Sequence, residues 1–321
     1  MLTPVTKFYP QAYGRFAIGA YSVNTLEQVA GAFRGAQMAR SPLIIQVSRK
    51  ARDYAGPNVL EAAIQATACL YPDVVYALHL DHGDEMTCYA CIESGYYSSV
   101  MIDASRYSFE ENVAITRRVV AAACPRGISV EAELGRLSGK EDDISVDEKE
   151  AYYTDPEEAA AFVSASGCDA LAVAIGTSHG INKFKGEQSL GLDRLAEIQA
   201  RLPKFPLVLH GASSVPAEEI RRINAAGGKV DIQSRGVPED QYIQAAHAGI
   251  CKINIDTDSR LEWTRVQREF LLAHPQNVDF REPGRIYVEE MARMVVHHSQ
   301  LFGGVGQIEA YLDFKNGEHY A

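Results

Sequence analysis

Three histidines in this 321-residue chain stand where apolar runs end: His82 in HLDHG, His179 in AIGTSHG and His210 in LHGASS. Three imidazoles around one open position make a catalytic zinc arrangement. Zinc is the expected ion because histidine-only ligation suits it, with cobalt or iron able to occupy the same site. Asp81 directly precedes His82. A carboxylate there can move a proton beside a Lewis-acid metal or orient a ligand, and the residues alone leave both open. His79 is expected deeper, in a structural role or in support of the metal ligands. Gly180, Gly211 and Ser213 follow the histidines. Backbone N–H groups of such turns bind phosphate near a helix N-terminus, and Lys183 would add charge. Asn254, Asp256 and Thr257 close a last apolar run, KINIDT.

Such residues must be positioned by something. Val- and Ile-rich runs predict eight strands, at 16–24, 42–48, 74–81, 99–104, 129–134, 170–176, 207–211 and 251–256. Near-continuous apolar runs are the mark of buried parallel strands. Helical stretches alternate with them at 25–40, 57–71, 85–95, 108–123, 156–166, 189–202, 216–226 and 258–273. Eight strand–helix units predict a (β/α)8 TIM barrel, whose active groups sit at the C-terminal strand ends. No GxGxxG follows the first strand, which argues against a doubly wound sheet. Asp155-Pro156-Glu157-Glu158 is a helix start, with an Asp cap, a Pro and first-turn acids. Val215-Pro216-Ala217-Glu218-Glu219 repeats it. Extra helices are expected near 238–248, before the last strand, and near 284–302. No linker or repeat divides residues 1–321, so one domain is expected, with a C-terminal helical extension over about 274–321.

Composition narrows the function. Apolar residues make up 46% and charged residues 23%, enough for a large core and not the balance of a disordered chain. The net charge of −11 and the lack of a basic stripe exclude nucleic acid as an expected partner. No run approaches a membrane span, and the N-terminus has no signal-peptide core. Six cysteines with one CxxC, Cys88 and Cys91, suggest thiols in a reducing cytoplasm.

Read in order, HLDHG, VMIDAS, SVEAELG, YTDPEEAAAFV, DALAVAIGTSHG, LHGASSVP and CKINIDTDSR resemble class II fructose-bisphosphate aldolases, in the subgroup shared with tagatose-bisphosphate aldolases. The resemblance runs from about residue 14 to 310. It implies cleavage of fructose 1,6-bisphosphate to dihydroxyacetone phosphate and glyceraldehyde 3-phosphate, with zinc on His82, His179 and His210 stabilising the enediolate. It implies that Asp81 moves the C4 hydroxyl proton. Asp103 and Glu133 resemble ligands of a second or alternative metal position. Glu141 resembles a mobile-loop carboxylate that deprotonates the triose. Gly180, Lys183, Gly211, Ser213, Asn254, Asp256 and Thr257 resemble the triose-phosphate pocket, with Na⁺ or K⁺ nearby. Ser48 resembles a contact to the aldehyde half. Arg260 resembles the grip on the 6-phosphate, and Arg281 the same from a partner subunit of a homodimer or homotetramer.

The chain departs from the family pattern at Lys50, at Arg106-Tyr107, at Arg136-Leu137-Ser138-Gly139 and in Leu261-Glu262-Trp263-Thr264-Arg265. These bear on the aldehyde half. Tagatose 1,6-bisphosphate, the C4 epimer, is the alternative substrate because it shares metal, base and triose phosphate, although Asp256 and Arg260 resemble the fructose pattern; another ketose phosphate is the third, raised by Lys50 and Trp263. A Schiff-base aldolase would use Lys252. A sugar-phosphate-binding barrel without chemistry is the remaining alternative.

Overall fold

The computed structural model of the chain describes residues 1–135, 138–141, 144–146, 152–179 and 189–312; for 138–141, 144–146, His179 and Leu312 it describes the backbone alone. The strands are β1 (Ile18–Ser22), β2 (Leu43–Ser48), β3 (Tyr76–Gly83), β4 (Ser99–Ile102), β5 (Ser129–Leu134), β6 (Ser138–Glu141), β7 (Ile144–Val146), β8 (Ala170–Val173), β9 (Ser178–His179), β10 (Leu207–Leu209) and β11 (Ile250–Ile255). The helices are α1 (Val5–Ala12), α2 (Leu26–Ala39), α3 (Arg49–Ala55), α4 (Val59–Ala68), α5 (Glu85–Ser94), α6 (Phe109–Ala123), α7 (Pro156–Ser166), α8 (Leu192–Arg201), α9 (Ala217–Ala225), α10 (Asp240–His247), α11 (Thr257–Ala273), α12 (Arg281–Leu301) and α13 (Glu309–Leu312).

Eight strands close a parallel barrel in the order β1-β11-β10-β8-β5-β4-β3-β2. This is the (β/α)8 fold, with helices around it and more at the C-terminus. Alternation along each strand explains its layers. Leu78, Leu80, Ile45, Val47, Ile253 and Ile255 face outward into the main core beneath the helices. Ile18, Ala20, Ile44, Ala77, Met101 and Val208 face inward at the lower end. Above them the same strands turn polar inside, with Gln46, His79, Asp81, Glu131, Glu133, Lys252 and Asn254 all buried.

The N-terminal segment, for which the sequence reading expected no element, folds as α1. Its Val5, Phe8, Tyr9 and Ala12 pack against the lower apolar layer. The barrel is thus plugged at its N-terminal end, with the polar residues lying toward the C-terminal strand ends. Asp155 caps α7 as expected, accepting from the N–H groups of Glu157 and Glu158. At α9 the expected start differs: Pro216 is the N-cap, with no side-chain cap of its own. In α2, Gly31 and Gly35 let α12 pack directly on the helix backbone. A Cβ at Gly31 would lie 2.6 Å from Met291, and one at Gly35 2.6 Å from the Ala292 carbonyl.

Most expected elements appear with ends shifted by a few residues. Strand 170–176 stops at Val173 and strand 207–211 at Leu209. The sequence reading missed α3 and a three-stranded sheet, β7-β6-β9. β6 and β7 form an antiparallel hairpin, and β6 pairs in parallel with β9. Among the described residues, no helix is long and apolar enough to cross a membrane.

Candidate active site

The HLDHG segment shows how one strand presents two neighbouring side chains to one mouth. In a regular strand, Asp81 and His82 would point to opposite faces. Instead, the pairing of β3 with β4 shifts register between Leu80 and Gly83. His82 adopts φ 43°, in the left-handed region, so its ring also turns into the barrel mouth. Gly83 completes the bulge, since a Cβ there would lie 2.5 Å from Leu80.

His82 Nδ1 donates to Asp103 Oδ2 at 3.0 Å, and its Nε2 faces His210 Nδ1 at 2.9 Å. His210 Nε2 donates to Glu131 Oε1 at 2.7 Å. Burial, joined by the charges of His82 and Lys252, pushes His210 down to about 4 against the pull of Glu131. His210 is therefore neutral near pH 7. Burial alone would raise the carboxyls of Asp103 and Glu131. The His82 hydrogen bond overrides it at Asp103, and Lys252, His79 and His210 override it at Glu131, so both stay well below the usual carboxylate range.

Two imidazole nitrogens aimed at each other, each ring donating elsewhere with its other nitrogen, want a cation between them. The donor set fits a divalent metal. Donor atoms of Asp81, His82 and His210 lie within 4.8 Å of one another. So do those of His82, Asp103 and Glu133, the last two being the residues expected at a second or alternative metal position. Asp103 also orients His82, a role the sequence did not suggest.

Asp81 is clamped from both sides. Gln46 Nε2 donates to Oδ2 at 3.0 Å and also to Ser22 Oγ at 2.9 Å. Asn254 Nδ2 donates to Oδ1 at 3.2 Å and lies 3.3 Å from His210 Nδ1. Asn254, expected in the triose pocket, thus sits between the carboxylate and a histidine. Gln46 escaped the sequence reading. The available signal was its even spacing from Ser48 along one strand face.

His179 lies in β9, beyond the end of β8, rather than at the barrel-strand end expected of it. Its side chain falls outside the described residues, as do Gly180 and Lys183 entirely. Glu141 ends β6, paired with Ile144 in a hairpin where a loop was expected; its side chain is not among those described. β6 also pairs with β9, so the backbones carrying Glu141 and His179 belong to one small sheet. Gly211, with φ 59°, holds β10 against this segment. A Cβ there would lie 2.7 Å from the Ser178 backbone.

The segment after His210 is held from behind. Asp258, buried, accepts from the N–H groups of Ser214 at 2.9 Å and Val215 at 2.8 Å. Tyr242 donates to the Ala212 carbonyl at 2.6 Å. Gly236 and Val237 donate to the carbonyls of Ser214 and Ser213. Val215 is thereby kept at φ 50°, a strained value for a β-branched residue. Ser213 Oγ accepts from the N–H of Asp256 at 3.3 Å. Thr257 opens α11, and Arg260 Nε reaches Asp256 at 2.7 Å. Asp258 could not be singled out beforehand because its partners are remote in sequence.

Ser48 caps α3, accepting from the N–H of Ala51. Arg281 is exposed and pairs with Asp279. Trp263, which sequence reasoning tied to the substrate, packs edge-on against Tyr287, centroids 4.7 Å apart, between α11 and α12. Arg106 stacks over Tyr107 at the surface. Lys252 is fully buried and ion-paired with Glu131 at 2.9 Å, which is not the setting of a free amine nucleophile.

The family model described as "Fructose-bisphosphate aldolase class-II" matches residues 5–307. A fructose-bisphosphate aldolase of Giardia intestinalis is 42% identical over 303 residues, covering 92% of this chain and 91% of that protein. One of Treponema pallidum is 42% identical over 317 residues, covering 92% and 93%. Among solved structures, the YdjI aldolase of Escherichia coli K12 superposes with a TM-score of 0.76 at 28% identity, covering 96% of this chain and all of the other.

Proposed function

The chain belongs to the class II fructose-bisphosphate aldolase family and is a lyase, and from that premise we propose that it reversibly cleaves fructose 1,6-bisphosphate to dihydroxyacetone phosphate and glyceraldehyde 3-phosphate. The observation that carries the reading is the buried carboxylate of Asp81 grouped with His82 and His210 at the open end of the barrel.

Asp81 accepts the C4 hydroxyl proton as the C3–C4 bond breaks, its two oxygens held on line by Gln46 and Asn254. The family implies a divalent metal, and zinc on His82, His179 and His210 would supply Lewis-acid stabilisation of the charge left on the ketone half. Asp103 and Glu133 would serve an alternative metal position. Glu141 would exchange the C3 proton of the triose half, arriving when substrate closes the site. Gly180, Lys183, Gly211, Ser213, Asn254, Asp256 and Thr257 would bind the triose phosphate, with a monovalent cation beside it. Ser48 and Arg260 would bind the aldehyde half and its phosphate, Arg260 turning from Asp256 to do so. Arg281, exposed here, would act on a neighbouring subunit of a homodimer or homotetramer. We read residues 1–321 as one domain, working in the cytoplasm in glycolysis.

The test is cleavage of fructose 1,6-bisphosphate and of tagatose 1,6-bisphosphate by purified protein, with EDTA and with zinc added back. Fructose cleavage abolished by EDTA and restored by zinc supports the proposal. Preference for tagatose moves the substrate to the C4 epimer, and cleavage that survives EDTA refutes the metal-dependent mechanism.

A further inference from the structure

Beneath the Asp81 group lies a second polar layer that the reaction does not use: His79, Ser99, Glu131 and Lys252, all buried. Sealing such groups inside a barrel is unfavourable unless each finds a partner, and here their protons can be assigned from donor and acceptor types alone. A lysine ammonium only donates. Lys252 Nζ lies 2.9 and 3.1 Å from the two oxygens of Glu131 and 3.2 Å from His79 Nε2. His79 Nε2 must then accept, so His79 carries its proton on Nδ1 and donates to Ser99 Oγ at 2.8 Å. A carboxylate only accepts, so His210 Nε2 donates to Glu131. That leaves His210 Nδ1 as the acceptor nitrogen, facing His82 Nε2 at 2.9 Å and lying 3.3 Å from the Asn254 amide.

We propose that Glu131, held by Lys252, is the positioning residue that makes His210 a metal ligand through Nδ1. The proposal rests on the aldolase reading of the site. It gives the one lysine inside the barrel strands near the site a role other than imine chemistry. Without Glu131 the neighbouring Asn254 amide, 3.3 Å from His210 Nδ1 and 3.4 Å from Nε2, can donate to either nitrogen and does not by itself fix the tautomer, and a ring carrying its proton on Nδ1 cannot ligate from that atom. Without Lys252 the carboxylate is buried with no counter-charge, so the two should be replaced together. A carboxylate behind a metal-bound histidine also raises its basicity, and losing such a partner typically weakens metal binding about 10–100-fold.

The experiment compares wild type with two double variants, Glu131→Leu/Lys252→Met and Glu131→Gln/Lys252→Met. Glutamine keeps an oxygen for His210 and serves as the conservative rescue. Two quantities are read: zinc affinity by competition with a chelating dye, and the His210 tautomer in metal-free protein by long-range ¹H–¹⁵N spectra at neutral pH. The leucine variant should lose the Nε2–H signature and bind zinc about 10–100-fold more weakly. The glutamine variant should recover the signature and most of the affinity. A leucine variant with wild-type tautomer and zinc affinity overturns the proposal. Should that variant fail to fold, the wild-type spectrum alone still decides, because a metal-free His210 protonated on Nδ1 overturns it. Wild type that binds zinc with this tautomer yet cleaves no sugar would sink the aldolase reading and leave the role of Glu131 standing.

Discussion

Replacing Asp81 by asparagine separates proton transfer from architecture. The carboxylate accepts from Gln46 on one oxygen and Asn254 on the other. Asparagine turns one acceptor into an N–H₂ facing an amide donor, and a buried clash of that kind costs about 1–3 kcal/mol if nothing adjusts. Here something can. Gln46 Oε1 and Asn254 Oδ1 are both buried without a partner, so rotating either amide by half a turn presents an oxygen to the new donor. We therefore expect Asp81→Asn to fold with a stability loss below about 1 kcal/mol, the net value of an ordinary hydrogen bond. His82 and His210 keep their contacts with Asp103 and Glu131, so zinc should still bind. The C4 proton then has no acceptor, which should lower kcat about 10²–10⁴-fold, or about 3–5 kcal/mol of barrier. The assay is fructose 1,6-bisphosphate cleavage with metal content and melting temperature measured on the same preparation. A variant that keeps kcat within tenfold while folded and metal-loaded refutes Asp81 as the proton acceptor. One that loses metal or unfolds refutes the flip argument.

Other consequences follow from groups away from the reacting atoms. Burial, then the charge of Glu219, raises the Glu262 carboxyl to about 8 against the pull of Arg265. A raised folded value means this group favours folding most below the ordinary carboxylate range and loses that contribution steadily as pH climbs from there to about 8. Stability should fall by about 1–2 kcal/mol between pH 7 and 9, and Glu262→Gln should flatten that slope in thermal melts; an unchanged slope counts against the assignment. Gly236→Ala places a methyl 2.0 Å from the Ser213 carbonyl, so the 213–215 segment must shift. The expected result is a raised KM for the bisphosphate, and inhibition by inorganic phosphate weakened in parallel; normal values for both would show that this segment does not hold phosphate.

Much of the fold was legible because its signals are local. Strand β5 was expected at the very residues it occupies, 129–134, and α7 starts on the Asp155 cap. Polar residues expected at strand ends, among them Asp81, His82 and His210, do come together at the C-terminal strand ends. The misses were elements whose stability is not local. Helix α1 exists because its apolar face plugs the barrel floor, and the β6–β7 hairpin lies where the resemblance implied a mobile loop.

Sequence by itself determined which side chains share a face of each strand, since alternation is a property of one chain segment. It put His79 below Asp81, Glu131 below Glu133 and Lys252 below Asn254. Only the tertiary structure decided which of these meet. Glu131 joins Lys252 across 121 positions of sequence, and Ser214 joins Asp258 across 44. Those pairings depend on the stagger between neighbouring strands and on barrel closure, and no single strand carries that information. The αL turn at His82 is of the same kind. The backbone strain there persists because the β3–β4 register shift and the space left by Gly83 hold it, and it is what points a His82 ring nitrogen and an Asp81 carboxylate oxygen into one mouth.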